Sequence, residues 1–421
     1  MDRRGIEGRG ERANGARRGG GERRWVIRAV AGLGALALFV ASASGQQWTI
    51  TELQHLPGVP EAQDAAYAVN ESGVAVGYCY GHWAVGWVDG LPYELGRSHP
   101  DAFDSPGRGI NDSGVACGYY EAHDGLYHAF VSQDGVATDL ACYSGLTETF
   151  AYGINNAGVV VGGATWGFTD AVCWQGDQVE PLYSDPNRAV DAWAYAISNT
   201  NPPQIVGYVA WWLPCELQVR NAVVFHGNNV VEYLLDPNLD SVAWAVSDND
   251  HVAGQYGNVN GVRAALWRKV NGSWQMTDLG AGQASGVNRY GQVVGHCGTE
   301  AWAYVRDGCG WRALSDLLDP NSGWSLFWAW AVNDKGQIVG EGVHNGVGRA
   351  FLMTPAGCRG DMNCDGRVTF ADIDLFVAAL AGESAWGCRP CPWIHADING
   401  DAAVNFADID PFVALIGTTC P

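Results

Sequence analysis

The sequence predicts a mainly β fold: a seven-bladed β-propeller over residues 47–356, closed by its N-terminal strand, followed by a small α-helical module over residues 357–421. Three observations predict it. A hairpin motif recurs seven times, the last copy lacks a strand that the N-terminal segment can supply, and a loop-plus-helix unit occurs twice near the C-terminus at an offset of 36 residues.

Residues 1–45 read as a leader rather than as part of the fold. Met1 to Arg28 carries nine arginines and four acids, and the uncharged apolar run Ala29–Val40 follows, then Ala41-Ser42-Ala43-Ser44-Gly45. A basic flank, a short apolar core and small residues at a cleavage site form a secretory signal. The apolar run has twelve residues, short of the roughly 20 that a membrane-spanning helix needs. Arg23-Arg24 also resembles a twin-arginine export signal, beside the plainer reading as an ordinary basic flank. Both readings place the mature chain outside the cytoplasm, secreted or at the cell surface.

Loss of that leader removes nine positive and four negative charges from a formal net of −21, leaving −26. Nucleic acid and anionic membrane are poor partners for such a chain, because phosphate is held through lysine and arginine. Twelve cysteines remain, seven before residue 310 and five after residue 357. In an exported protein they favour disulfides, and two odd counts imply either a bridge between domains or two free thiols.

The repeat has the form aromatic/Gly–Ala/Gly–Val/Ile–Asn–x–x–Gly–x–Val–x–Gly. Its copies are YAVNESGVAVG (67–77), RGINDSGVACG (108–118), YGINNAGVVVG (152–162), SGVNRYGQVVG (285–295) and WAVNDKGQIVG (330–340), with degenerate copies at 195–207 and 244–254. The Asn or Ser falls at 70, 111, 155, 198, 247, 288 and 333, so the period is 41 to 49 residues. Asn followed by Gly three residues later suits a hairpin: the Asn side chain caps the turn and Gly takes the left-handed backbone. A second apolar strand and a short leucine-containing strand follow in each copy, making a four-stranded unit the size of a propeller blade. Such units bury their faces only by stacking on one another. The seventh copy ends at Thr354-Pro355 without its closing strand, and Trp48–Leu56 is a closing-type strand with no unit before it. Joining them removes the open edges.

These repeats resemble the HAF family of extracellular repeats, whose His-Ala-Phe triplet stands here at His128-Ala129-Phe130. The resemblance implies fold and location, not a chemistry. His128 has Trp83, Asp170, Asn221, Arg263, Glu300 and Arg349 at its equivalent positions, and no nucleophile–base pair or metal-ligand spacing accompanies it, so no catalytic residue is assigned. The tryptophans, including Trp211-Trp212 and Trp324, Trp328 and Trp330, are expected to fill wedges between blades, with the Trp211–Pro214 insertion the best candidate for exposed rings that stack on carbohydrate.

The C-terminal module carries the metal chemistry. Asp361, Asn363, Asp365, Thr369 and Asp372 occupy positions 1, 3, 5, 9 and 12 of one loop, and Asp397, Asn399, Asp401, Asn405 and Asp408 occupy the same positions of a second. Arg367 and Ala403 stand at position 7, which offers a backbone carbonyl. This density of oxygen donors is the twelve-residue calcium pattern, so two Ca²⁺ sites are expected. Ala402 replaces the glycine of the sharp turn in the second loop, which is therefore expected to be the weaker site. Each loop runs into a helix whose Phe370, Ile373, Phe376, Val377 and Leu380 match Phe406, Ile409, Phe412, Val413 and Ile416, a pattern expected to present one packed face.

This duplicated unit, from about Gly360 to Gly417, resembles a type I dockerin. The resemblance implies docking onto a cohesin-like surface protein. Two functions follow: a secreted, non-catalytic binding or surface protein displayed through a calcium-dependent module, or a dockerin-bearing enzyme of polysaccharide catabolism, a glycoside hydrolase or lyase on a propeller scaffold. No acid pair or catalytic fold is recognisable beside the module, which favours the first.

Overall fold

The computed structural model describes residues 48–420 except 59–62, 80–82, 97–104, 144, 186–189, 213–217, 259–260, 298–302, 308–309, 387–388, 390 and 402. The leader and Ala402 therefore lie outside the described residues, as do Leu213, Pro214, Glu300, Cys215, Cys309 and Cys388. Among the described residues no helix is long and apolar enough to cross a membrane.

Among the described residues the repeat region is mainly β, in a β-propeller arrangement of seven four-stranded antiparallel sheets. Six of them are built from four consecutive strands. The remaining one is composite: Trp48–Leu53 pairs with Val347–Pro355, which pairs with Ile338–His344 and then Trp324–Val332. Trp48 stands opposite Pro355 and Leu53 opposite Ala350. The N-terminal strand thus supplies the place that the seventh repeat leaves empty. Its side chains enter two cores, Trp48 with Ile338 and Phe351, and Leu53 and Leu56 with Val85 and Trp87 of the first repeat.

The repeated asparagine explains both the turn and the stacking of sheets. Asn70 Oδ1 accepts the N–H groups of Ser72 at 3.0 Å and Val74 at 2.9 Å, and Gly73 sits at φ +81°. Asn70 Nδ2 then donates across to the Asn111 carbonyl of the next sheet at 3.0 Å. The same link runs from Asn111 to Asn155 and from Asn155 to Ser198. It resumes from Asn288 to Asn333 and returns from Asn333 to the Asn70 carbonyl at 2.9 Å. Ser198 and Ser247 in the degenerate copies have no amide to give. The residue after each asparagine adds an outer set of bonds, as in Glu71 N–H to Asp112 Oδ1 at 2.9 Å and Asp334 N–H to Glu71 Oε1 at 2.8 Å. Asn333→Ala removes a buried link and the Oδ1 that accepts two turn N–H groups, those of Lys335 and Gln337, so it is expected to destabilise by about 2 kcal/mol or more. Chemical denaturation reads this directly; a loss below about 0.5 kcal/mol would show the link to be idle.

Every first strand carries a register shift at the opening position of the motif. The shifts fall between Ala66 and Ala68, Gly107 and Gly109, Ala151 and Gly153, Ala194 and Ala196, Ala243 and Ala245, Ala284 and Gly286, and Ala329 and Ala331. A bulge leaves one residue out of the ladder and re-aims its side chain. The residues so released are Tyr67, Arg108, Tyr152, Tyr195, Trp244, Ser285 and Trp330, and together they line one cavity.

The tryptophans correct the sequence reading in part. Trp48, Trp87, Trp174 and Trp267 are fully buried, as wedge-filling predicts. Trp244 and Trp330 instead face the shared cavity, Trp328 stacks on Trp330 at 5.4 Å, and Trp211 is 42% exposed.

The C-terminal module is small and cross-linked. Its two matching helices are short, Ile373–Ala379 and Ile409–Leu415, and meet through Phe376 and Phe412, stacked at 4.2 Å and 5° between planes. Disulfides Cys358–Cys420 and Cys364–Cys391 tie the loop to the tail and to the second half. Both lie within the module, and among the described residues the five remaining cysteines are unbridged. The single packed face expected of these helices is divided. Phe376 and Phe412 are buried, but Phe370 and Phe406 are 78% and 79% exposed, and Val377 and Val413 are 58% and 59% exposed. The physical reason is helix length: Phe370 and Phe406 belong to 3-10 turns ahead of each helix and project away from the Phe376–Phe412 contact.

Candidate functional site

The two loops hold their acids in the same way. At positions 1 and 12, Asp361, Asp372, Asp397 and Asp408 are completely buried. Asp372 Oδ1 accepts from Met362 N–H at 2.8 Å and Asn363 N–H at 3.0 Å, and its Oδ2 accepts from Thr369 N–H at 2.8 Å. Asp408 repeats this with Ile398, Asn399 and Asn405. At positions 3 and 5, Asn363 Nδ2 donates to Asp365 Oδ2 at 3.1 Å, and Asn399 Nδ2 to Asp401 Oδ2 at 3.0 Å. Thr369 and Asn405 at position 9 cap the following turns, accepting from Ala371 and Ala407 N–H. At position 7, the Ala403 carbonyl accepts from Asn405 Nδ2, and Arg367 bridges to Thr419 of the tail.

This donor set fits a hard divalent cation. Burial raises the Asp361 carboxyl above its usual range, the Gly366 and Asp365 N–H groups oppose this, and the nearby charges of Asp372 and Asp365 add to it. Carboxylates gathered this closely are costly without a positive partner. Calcium in the first loop would be held by Asp361, Asn363, Asp365, the Arg367 carbonyl and Asp372, with Thr369 through water. In the second, Asp397, Asn399, Asp401, the Ala403 carbonyl, Asn405 and Asp408 would hold it.

The first-position acids differ in one respect that the sequence did not disclose. Asp361 accepts from Gly366 N–H at 2.8 Å within its own loop. Asp397 accepts from Gly400 N–H at 2.9 Å and from the Tyr290 hydroxyl of the propeller at 2.5 Å. Arg359 Nη2 lies 3.4 Å from that hydroxyl. The second loop is thus tied to the repeat region, and no periodicity announces a contact between residues 107 positions apart.

Three further clusters of titratable groups lie in the repeat region. His128 lies 3.9 Å from Asp124 and against the Tyr120 ring. His55, Asp64 and Cys79 cluster in the seam beside the N-terminal strand, with His55 Nδ1 at 2.9 Å from Asp64 and Arg349 3.8 Å from it. Burial, then the Asp64 charge, pushes the Cys79 thiol far up, the opposite of what a nucleophilic thiol needs. Where the motif turns meet, Glu71, Asp112, Asp248 and Asp334 form an acidic collar with Arg289. Burial raises Glu71 from 4.5 to about 7. A raised acid favours the fold below its unfolded pKa and loses that benefit as pH rises through the folded value. Glu71→Gln is therefore expected to raise the melting temperature at pH 8 and leave it unaltered at pH 4. An equal shift at both would assign the effect to packing.

No protein-family model matches the chain, and no curated protein matches it. Solved structures of similar fold include YCF48 bound to a D1 peptide, 12% identical, TM-score 0.41, spanning 73% of this chain and 95% of that one. A Mycobacterium tuberculosis puromycin-hydrolyzing peptidase is 13% identical with TM-score 0.39, spanning 70% of this chain and 51% of that one. Trypanosoma rangeli sialidase is 9% identical with TM-score 0.35, over 77% of this chain and 57% of that one. The chain thus spans little more than half of the last two. The likeness is one of fold.

Proposed function

We propose that this chain is an exported, non-catalytic binding protein: a propeller whose seven sheets are the seven blades of one closed ring, held to a cohesin-like surface protein through residues 360–417. Calcium in the two loops organises the docking module, the second site being the weaker, and the propeller presents the ligand-binding surface, with carbohydrate as the ligand class. The observation that carries the docking reading is the duplicated apolar face. Phe370 with Val377 and Phe406 with Val413 stand exposed at the same offset of 36 on the two loop–helix units. Phenylalanines about four-fifths exposed cost hydration in a monomer, and apolar groups exposed in a repeated pattern mark a surface made for a partner.

The test is surface plasmon resonance of the full chain over an immobilised type I cohesin module. Saturable binding in calcium is expected, with at least a tenfold loss when Phe370→Ser and Phe406→Ser are combined. Binding that survives this double substitution, or none in calcium, contradicts the docking reading. Incubation with plant, algal and bacterial polysaccharides is expected to release no new reducing or unsaturated ends. Turnover lost on substituting a single Asp, Glu or His would favour the enzyme instead.

A further inference from the structure

The bulge residues form a ring in repeat order: Tyr67, Arg108, Tyr152, Tyr195, Trp244, Ser285 and Trp330, around a cavity of about 300 Å³ that Gln283 also lines. Five of the seven are aromatic. Neighbouring members touch in sequence: Trp330 meets Tyr67 edge-on at 5.4 Å, Tyr152 meets Tyr195 at 5.1 Å, and Tyr195 meets Trp244 at 4.6 Å. Two indole N–H groups are held from behind, Trp244 by Gln255 and Trp330 by Glu341. The walls are therefore set before any ligand arrives.

The two departures from aromatic character are the informative positions. Arg108 places its guanidinium 4.3 Å over the Tyr67 ring and 5.7 Å from Tyr152, and donates to the Tyr119 hydroxyl at 2.9 Å. Its Nε is buried without a hydrogen-bond partner, and among the described residues no carboxylate pairs with it. Ser285 leaves a gap in the aromatic belt, and its Oγ is also buried without a partner. Buried polar groups left unsatisfied are uncommon in native proteins and call for an explanation.

We propose that this cage binds a single hexuronic acid residue, free or at the end of an oligosaccharide, with its carboxylate on Arg108 and its ring in the gap at Ser285. The proposal deepens the reading of the propeller as a binding protein and rests on it. A guanidinium is the side chain suited to a carboxylate, which it takes through paired N–H donors. Tyr and Trp faces accept the apolar C–H face of a sugar ring, while Gln283 and Ser285 provide polar partners for its hydroxyls. About 300 Å³ is at the small end of ligand pockets and suits one ring. One positive charge in a chain of net −21 suits one carboxylate, not a polyanionic run. A peptide carboxylate would want backbone partners that this side-chain cage does not offer.

The test is calorimetric titration of the full chain with D-glucuronate and D-galacturonate, each beside its neutral hexose, with tryptophan fluorescence as a second readout. One-site binding is expected, about 10- to 100-fold tighter for a uronate than for its hexose. Arg108→Met is expected to erase that difference. Ser285→Trp, which restores the aromatic type found at five positions, is expected to abolish binding while the thermal transition persists. This second variant keeps the test decisive if Arg108→Met fails to fold. Uronates binding no tighter than hexoses, or unaltered by Ser285→Trp, overturn the proposal. So does a peptide with a free C-terminus that outcompetes uronate. A monosaccharide has no glycosidic bond and does not touch the docking face, so failure here leaves the docking reading standing, and failure to dock leaves the cage standing.

Discussion

Deletion of Trp48–Leu56 is expected to abolish the cooperative thermal transition of the repeat region. The segment is an integral strand of the composite sheet, and Trp48, Leu53 and Leu56 are 1%, 1% and 6% exposed. Burying three large apolar side chains contributes on the order of 5–8 kcal/mol. That is comparable with the whole stability of a typical domain, about 5–15 kcal/mol. The deletion also bares the edge of Val347–Pro355 and opens the seam at Val85 and Trp87, so aggregation should accompany unfolding. Calorimetry on the purified variant checks this. A transition at the unaltered temperature would show that the strand only decorates a sheet complete without it.

The second large effect concerns the loops. Calcium titration of the full chain is expected to show two steps, with Asp361→Ala removing the tighter and Asp397→Ala the weaker. Each acid is buried at the first position of its loop, where loss of a charged ligand removes a donor that no neighbour replaces. The inequality has two sources. Ala402 stands where the first loop has Gly366, whose φ is +85°. Asp397 also shares an oxygen with the Tyr290 hydroxyl. Tyr290→Phe is accordingly expected to alter only the weaker step. Identical affinities in both loops, or loss of both steps from either alanine, would overturn the assignment.

Most of the architecture was legible because its determinants are local and repeated. Asn70 and Gly73 specify a turn in their own sequence, and seven copies give the number of sheets. Trp48–Leu53 and Val347–Pro355 are about 300 residues apart, yet their pairing was predictable because one repeat lacks what the other provides. The cage was half visible. The aromatic opening of each motif was apparent, but its direction depends on a bulge that no residue type announces. That is why Trp330 was expected in a wedge, and why Arg108 did not stand out. The exposure of Phe370 and Val377 was hidden for a related reason. Helical spacing locates a stripe, but a helix of seven residues buries only the part its partner reaches. The Tyr290–Asp397 contact joins two modules and has no sequence signature.

Hydrogen exchange on the full chain, in saturating calcium and in excess chelator, tests most directly whether calcium builds the proposed docking module. Two disulfides already cross-link it, so metal and covalent bonds are rival sources of its order. If the loops crowd carboxylates that only a cation relieves, amides of 361–372 and 397–408 should be protected in calcium and lose most of that protection in chelator, while those of Trp324–Val332 stay unaltered. Equal protection in both conditions would mean that the disulfides hold the module, and that docking through it does not depend on calcium.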